Sequence, residues 1–453
     1  MAPVSVLRRW LRRGGKHDLE AVVQGSALPQ YQRGLKYVQD PAKAAEWFRR
    51  AAKLGHAESQ FILGKQYRFG FDWVPKDDRE AVKWFRRAAK QGHAESQFNL
   101  AGMYAAGMGV PKDNREAVKW LRRAAKQGHA ESQAFLGQMY ADGAGVQECG
   151  RRAAKWLRRA AKQGDAHHQY MLGFVYVRRK GMLDFPRARI WFRRAAKQGH
   201  APGQVALGRI YANRSAAVND AVQATKWFRR AAKQGLPEGQ VALGQTYGKE
   251  NDEEAKKWCR RAAKQGHAEG QVALGRIYSR PHIRPDRDDR EAAKWYRRAA
   301  VRGHDLGQFH LGLMYARGEG VPKDDREAVK WYRRAAKQGL PEGQIMLGLM
   351  YAVGEGVPKD AREAVKWYRR AAKNVRGFEN QQLAKRLKDQ TALGLLAYEL
   401  GEGMPKHDRE AVKSFRRDVE KIWWYVRGYR RAAGKGDLQD LVLAGRLRDF
   451  FRS

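Results

Sequence analysis

Along most of the chain, apolar and polar positions follow a helical rhythm that restarts about every 36 residues. Ala81, Trp84, Phe85, Ala88 and Ala89 fall at i, i+3, i+4, i+7 and i+8, a single apolar stripe on a helix. Lys83, Arg86, Arg87 and Lys90 repeat that spacing two residues later, about 200° round a helix of ~3.6 residues per turn. The basic stripe is therefore predicted nearly opposite the apolar one. Gly92 stands where a left-handed cap ends a helix. Asp77 with Glu80 three residues on predicts an N-terminal capping box, and Val74 before it a hydrophobic contact onto the first turn. The same start recurs at Asp113 and Glu116, Asp324 and Glu327, and Asp360 and Glu363.

Each such helix follows another, typified by residues 94–104, and a turn typified by Gly107-Met108-Gly109-Val110. Leu-Gly with a later Tyr recurs in the earlier helix, as at Leu136, Gly137 and Tyr140, or Leu207, Gly208 and Tyr211. The small Gly predicts close approach of two helices, with Leu and Tyr filling the interface. One tryptophan marks each unit: Trp47, Trp84, Trp120, Trp156, Trp191, Trp227, Trp258, Trp295, Trp331 and Trp367. Their separations are 37, 36, 36, 35, 36, 31, 37, 36 and 36 residues. A period of that size predicts a solenoid whose units bury their cores against their neighbours, with these indoles in the core.

The layout read from the pattern is a basic N-terminal segment over 1–18, repeats one to ten over 19–373, an insertion with a degenerate eleventh repeat over 374–417, and a degenerate repeat with a capping helix over 418–453. Turns depart from the pattern at 212–222, 248–252 and 281–285, which predicts changes of curvature there. The first segment, with Arg8, Arg9, Arg12 and Arg13 among apolar residues, reads as a cap on the first repeat, with a transit peptide as the alternative.

Charge alters the picture more than composition does. The 453 residues carry 90 Lys and Arg against 48 Asp and Glu, a net +42, which predicts attraction to polyanions. Cys149 and Cys259 lie in distant repeats, so no disulfide framework is predicted and the cytoplasm is the expected compartment, or an organelle if residues 1–17 are a transit peptide. No apolar run approaches the ~20 residues of a membrane span.

Four motifs together resemble the Sel-one-like repeat (SLR) family, a relative of the tetratricopeptide repeats. In repeat nine they stand at Leu311, Gly312 and Tyr315; Gly318, Gly320 and Val321; Glu327, Ala328 and Trp331; and Ala335, Ala336 and Gly339. The resemblance covers about residues 25–417. It implies an all-α, right-handed superhelical solenoid of about eleven helix-turn-helix repeats, acting as a non-enzymatic scaffold or adaptor with a protein partner in its groove. A secreted branch pairs cysteines within each repeat. This chain lacks those pairs, so that branch's extracellular setting and β-lactam binding do not carry over.

Candidate chemistry is sparse. His56, His93, His129, His200 and His267 recur once per repeat, too far apart at ~10 Å to share a metal, and read as turn residues. Gly434-Lys435-Gly436 lacks the Ser/Thr and glycine spacing of a P-loop. No catalytic cluster, cofactor or metal is predicted. A Gln three residues before each Leu-Gly, such as Gln97 or Gln133, reads as a hydrogen bond to the neighbouring turn or as a groove lining. The one sharp candidate is a ladder for RNA or another polyanion: Arg86, Arg87 and Lys90; Arg122, Arg123 and Lys126; Arg158, Arg159 and Lys162; Arg193, Arg194 and Lys197. Its stripe is expected to stay unpaired, with the acids used as caps. Rungs ~10 Å apart are hardly screened at a Debye length of ~8 Å. No aromatic is expected among them to stack bases.

Overall fold

The computed structural model describes residues 27–37, 39–71, 74–178, 184–213, 218–248, 251–279, 288–360 and parts of 362–371. The basic segment 1–18, the insertion and eleventh repeat over 374–417, and the cap over 418–453 lie outside the described residues. So do the turn at 281–285 and the middle of the turns at 212–222 and 248–252.

Two compact units divide the chain, Met1–Ala224 and Thr225–Ser453. Secondary structure among the described residues is helical apart from one isolated bridge between Phe71 and Val74. The helices in the first unit are α1 (Ala27–Lys36), α2 (Pro41–Lys53), α3 (Ala57–Phe69), α4 (Asp78–Lys90), α5 (Ala94–Ala106), α6 (Asn114–Lys126), α7 (Ala130–Asp142), α8 (Gly150–Lys162), α9 (Ala166–Arg178), α10 (Phe185–Lys197) and α11 (Ala201–Asn213). After α12 (Val218–Lys233), the second unit has α13 (Pro237–Tyr247), α14 (Asp252–Lys264), α15 (Ala268–Tyr278), α16 (Asp289–Val301), α17 (Asp305–Arg317), α18 (Asp325–Lys337) and α19 (Pro341–Val353). Odd numbers are the first helices of the repeats and even numbers the second. Consecutive helices from α1 to α11 in the first unit, and from α13 to α19 in the second, pack on one another, as in a stack of helical repeats.

The ends of α4 show why these stretches are helices. Asp77 Oδ1 accepts from the N–H groups of Arg79 and Glu80 at 2.8 and 3.0 Å. Gly92 takes φ +96°, and His93 N–H and Gly92 N–H return to the carbonyls of Ala88 and Ala89, a Schellman closure. Only half of the expected capping box forms. The N–H of Asp77 already donates to the Tyr67 carbonyl at 2.7 Å, so Glu80 has no cap to complete and instead pairs with Lys83 at 2.5 Å. Asp113 and Asp324 likewise donate to the carbonyls of Tyr104 and Tyr315.

In each second helix described, the residue after the tryptophan is buried more deeply than the tryptophan itself. Phe85, Leu121 and Leu157 have no exposure, and Cys259 and Tyr332 hold that place in the second unit. Opposite Phe85 stands Gly64, where a Cβ would lie 2.7 Å from the ring. That contact is the physical reason for Leu-Gly in the first helix. Register between repeats is set by the Gln. The Gln97 side chain is buried, donates to the Ala89 carbonyl at 3.0 Å, and accepts from Gln127 of its own repeat's second helix at 2.9 Å. Gln133 does the same with Ala125 and Gln163, and in the second unit Gln308 with Ala300 and Gln338. The groove-lining alternative is excluded by that burial.

Candidate interaction surface

The outward face of the second helices holds the candidate ladder. Arg87, Lys90, Arg122, Arg123, Lys126, Arg158, Arg159, Lys162, Arg193, Arg194 and Lys197 are exposed, and Arg86 is partly exposed. Among the described residues none of the twelve enters an ion pair. The wider stripe is not wholly unpaired, however. Lys83 pairs with Glu80, Lys119 with Glu116 and, in the second unit, Lys294 with Glu291 and Lys330 with Glu327. An i, i+3 spacing on one helix face makes that pairing available, and the half-formed capping boxes leave each Glu free for it.

Aromatics are interleaved with the arginines, contrary to the expectation from sequence. From Arg86 to Arg333 the first Arg of the pair donates to a tyrosine hydroxyl on the next repeat's first helix, as Arg86 to Tyr104 at 2.8 Å and Arg158 to Tyr176 at 2.5 Å. In the second unit Arg260 reaches Tyr278 at 2.6 Å and Arg297 reaches Tyr315 at 2.7 Å. The second Arg covers its own tryptophan three residues back, Arg87 over Trp84 at 4.5 Å and Arg123 over Trp120 at 4.6 Å from the ring centroid. Arg261 over Trp258 and Arg298 over Trp295 repeat this in the second unit. Neither a phenol nor an indole face cancels a guanidinium charge. The rings are thus covered against base stacking, while the positive edges stay outward.

Trp84, Trp120, Trp227, Trp258, Trp295 and Trp367 are buried, whereas Trp47, Trp156, Trp191 and Trp331 are partly exposed. The indole N–H of Trp258 donates to Glu254, four residues back, at 3.0 Å. Those of Trp84, Trp295, Trp331 and Trp367 are buried without an acceptor, and the matching Glu pairs with its lysine.

Charge is unevenly spread over these helices. Helix α4 holds Asp78 and Glu80, α6 holds Glu116, and α14 holds Asp252, Glu253 and Glu254. Helices α8 and α10 hold no acid and carry six and five basic residues. A shallow depression of about 260 Å³ on α10 is lined by Arg189, Ile190, Arg193, Arg194 and Lys197.

The histidines have a role that the sequence reading missed. His93 is the N-cap of α5, its Nδ1 accepting from Ser96 N–H at 3.2 Å. His56, His129, His200, His267 and His304 accept likewise from the N–H three residues on. The signal was their place just before Ala-Glu-Ser or its equivalent. Burial lowers the pKa of His56 and His200. His310, stacked on Tyr296 at 4.8 Å, is pushed down to about 4 by burial, with Arg276 and Arg317 adding to it. Among the described residues no group of three metal-ligating side chains comes together, and no helix is long and apolar enough to cross a membrane.

The Sel1 repeat profile matches residues 30–56, 57–93, 94–129, 130–165, 168–200, 201–236, 237–267, 268–304, 305–340, 341–374 and 388–413. A solved structure of a protective antigen present in uropathogenic Escherichia coli strains, described as displaying an SLR fold, is 33% identical, with 91% of this chain and 89% of that one covered and a TM-score of 0.61. A Sel1 repeat protein from Oxalobacter formigenes is 29% identical over 85% of this chain and 99% of its own, with a TM-score of 0.44. Among curated proteins none matches.

Proposed function

The chain belongs to the Sel1 repeat family, and from that premise we propose that it is a non-enzymatic scaffold holding a protein partner against its stacked repeats. The observation that carries this reading is where the repeated polar side chains go. Asp and His cap helices, Gln sets the register, and Glu pairs with Lys. What remains outward, once per repeat, is a binding surface rather than reactive chemistry. Affinity capture of the tagged chain, with cross-linking and nuclease treatment, tests it. A protein retained after nuclease is the expected result; its disappearance with nuclease overturns the reading.

A second reading, binding of RNA or another polyanion, is favoured by twelve exposed or partly exposed cations without ion pairs. Titration with labelled single-stranded RNA at two salt concentrations tests it, with a log–log slope near −0.7 per phosphate neutralised. Arginine substitutions are a poor probe because they also remove contacts to Trp and Tyr. Changing Lys90, Lys126, Lys162 and Lys197 to Gln alters charge alone, and should weaken RNA binding and flatten the salt slope.

A further inference from the structure

Repeat seven contains its own anion-recognition device. The Glu254 carboxylate accepts from Lys257 Nζ at 2.8 Å through one oxygen and from Trp258 Nε1 at 3.0 Å through the other. Arg261 lies over the Trp258 ring at 4.7 Å. The Lys257 hydrogen bond, with those of the indole and the nearby Arg261 charge, holds the Glu254 carboxyl below the usual range. Two donors at i+3 and i+4, with the Arg261 charge at i+7, thus define a seat for one carboxylate.

Helix α8 of repeat four has the same three groups at the same spacing: Lys155, Trp156 and Arg159. Arg159 covers Trp156 at 4.7 Å, as its counterpart does in repeat seven. The position of the carboxylate is taken by Arg152, whose guanidinium lies over the Tyr140 ring at 5.7 Å. Among the described residues neither Lys155, nor Arg159, nor the Trp156 indole N–H meets an acceptor. Trp156 is partly exposed, where Trp258 is buried. Exposure alone does not mark the seat, since Trp331 is also partly exposed beside Glu327. What marks it is the complete donor set with a base, Arg152, in the acid's place; repeat six keeps Lys226, Trp227 and Arg230 but has Gln223 there. Repeats one and five also have a base in the acid's place, Lys43 and Arg187, but Glu46 and Ile190 replace the seat's lysine there.

We propose that Lys155, the indole N–H of Trp156 and Arg159 receive a carboxylate from outside the chain, and that its bearer is a Glu- or Asp-rich segment of a protein partner. The inference rests on the scaffold reading and narrows it to one face and one partner chemistry. The chain's own example of the seat holds a carboxylate, one oxygen to the lysine and the other to the indole N–H. Helices α8 and α10 add only positive charge around it, including Arg151, Arg158, Arg193 and Arg194, so several acids in a row are accommodated. Ile190, 51% exposed on α10, offers an apolar contact that a nucleic-acid backbone does not use. The covered indoles give bases nothing to stack on.

Fluorescence anisotropy of a short fluorescein-labelled poly-glutamate peptide with the full chain tests this at about 0.15 M salt. Arg152→Glu installs the internal carboxylate and is expected to weaken peptide binding by roughly tenfold or more, with the circular dichroism and Tm not lowered. Arg151→Glu makes the same change of charge on the same helix outside the seat, and is expected to have a smaller effect. Glu254→Ala clears the seat of repeat seven and is expected to add a second site. Equal weakening by Arg151→Glu and Arg152→Glu, an unchanged affinity in Arg152→Glu, or an unchanged stoichiometry in Glu254→Ala each overturns the proposal. So does sensitivity to Arg152→Glu for labelled single-stranded RNA but not for the peptide. If peptide binding fails while nuclease-resistant capture persists, this inference falls and the scaffold reading stands. If capture fails as well, both fall.

Discussion

Trp84 and Phe85 are adjacent in sequence and differ in what surrounds them. Phe85 has no exposure and sits on Gly64, whereas the outer face of Trp84 lies under Arg87. Phe85→Ala is expected to cost ~3–5 kcal/mol as a buried large-to-small change, measured by urea unfolding. From the other side of the contact, Gly64→Ala puts a methyl 2.7 Å from the ring and is expected to cost ~1–3 kcal/mol. Arg87→Ala removes an exposed cation–π contact, a loss of about 0.5–1 kcal/mol. If Arg87→Ala proved the costliest of the three, the assignment of depth would be wrong. The apolar stripe was readable from spacing alone. Which of its two aromatics lies deeper was not, because both fall on the stripe and the difference is made by a glycine on another helix. Arg86 shows the same limit. Its tyrosine partner is eighteen residues on, in the next repeat, and no periodicity within one helix points to it.

At the scale of the helix, the aspartate caps and glycine stops were legible because each has a local chemical signature. The capping box was over-read, since Glu80 was assigned a backbone donor that a carbonyl from the preceding helix had already taken. Histidine as N-cap went unread because imidazole is not among the side chains that usually cap helices. The burial of His310 on α17 has a consequence for pH. Its folded pKa, about 4, lies below the unfolded value of 6.5, so between those values the unfolded chain binds the extra proton. Its contribution is present in full above pH 6.5, is lost as pH falls, and is gone below about 4. His56 and His200, also lowered by burial, act in the same direction. Urea unfolding at pH 7, 5.5 and 4 is expected to show falling stability, on the order of 3 kcal/mol from His310 at most. His310→Phe retains a ring against Tyr296 and is expected to flatten that fall. A steeper fall in the variant would contradict the sign.

Across the whole chain, the period of about 36 residues was the most legible feature, and the stacking it implies can be tested by removing one period. Residues 130–133, Ala-Glu-Ser-Gln, repeat residues 94–97 letter for letter. Deleting 94–129 therefore joins His93 to a stretch identical with the one it lost. His93 can cap at Ser132 as it did at Ser96, and Gln133 can donate to the Ala89 carbonyl in place of Gln97. Gln163 still reaches Gln133. Each interface that disappears is replaced by its equivalent, so the stack loses one unit and one contact surface but keeps its register. The expected outcome is unchanged helicity per residue by circular dichroism, with a modestly lower Tm. Deleting 94–111 removes half a period. It leaves α6 without its first helix and takes away the Gly107 and Gly109 turn, whose second glycine approaches the Asp78 carbonyl where a Cβ would lie 2.2 Å away. That deletion is expected to broaden or abolish cooperative unfolding. Equal tolerance of both deletions would mean that the register is not carried by the Gln and His contacts, and the same result would remove the ground for treating position 152 in repeat four and position 254 in repeat seven as equivalent places in one device.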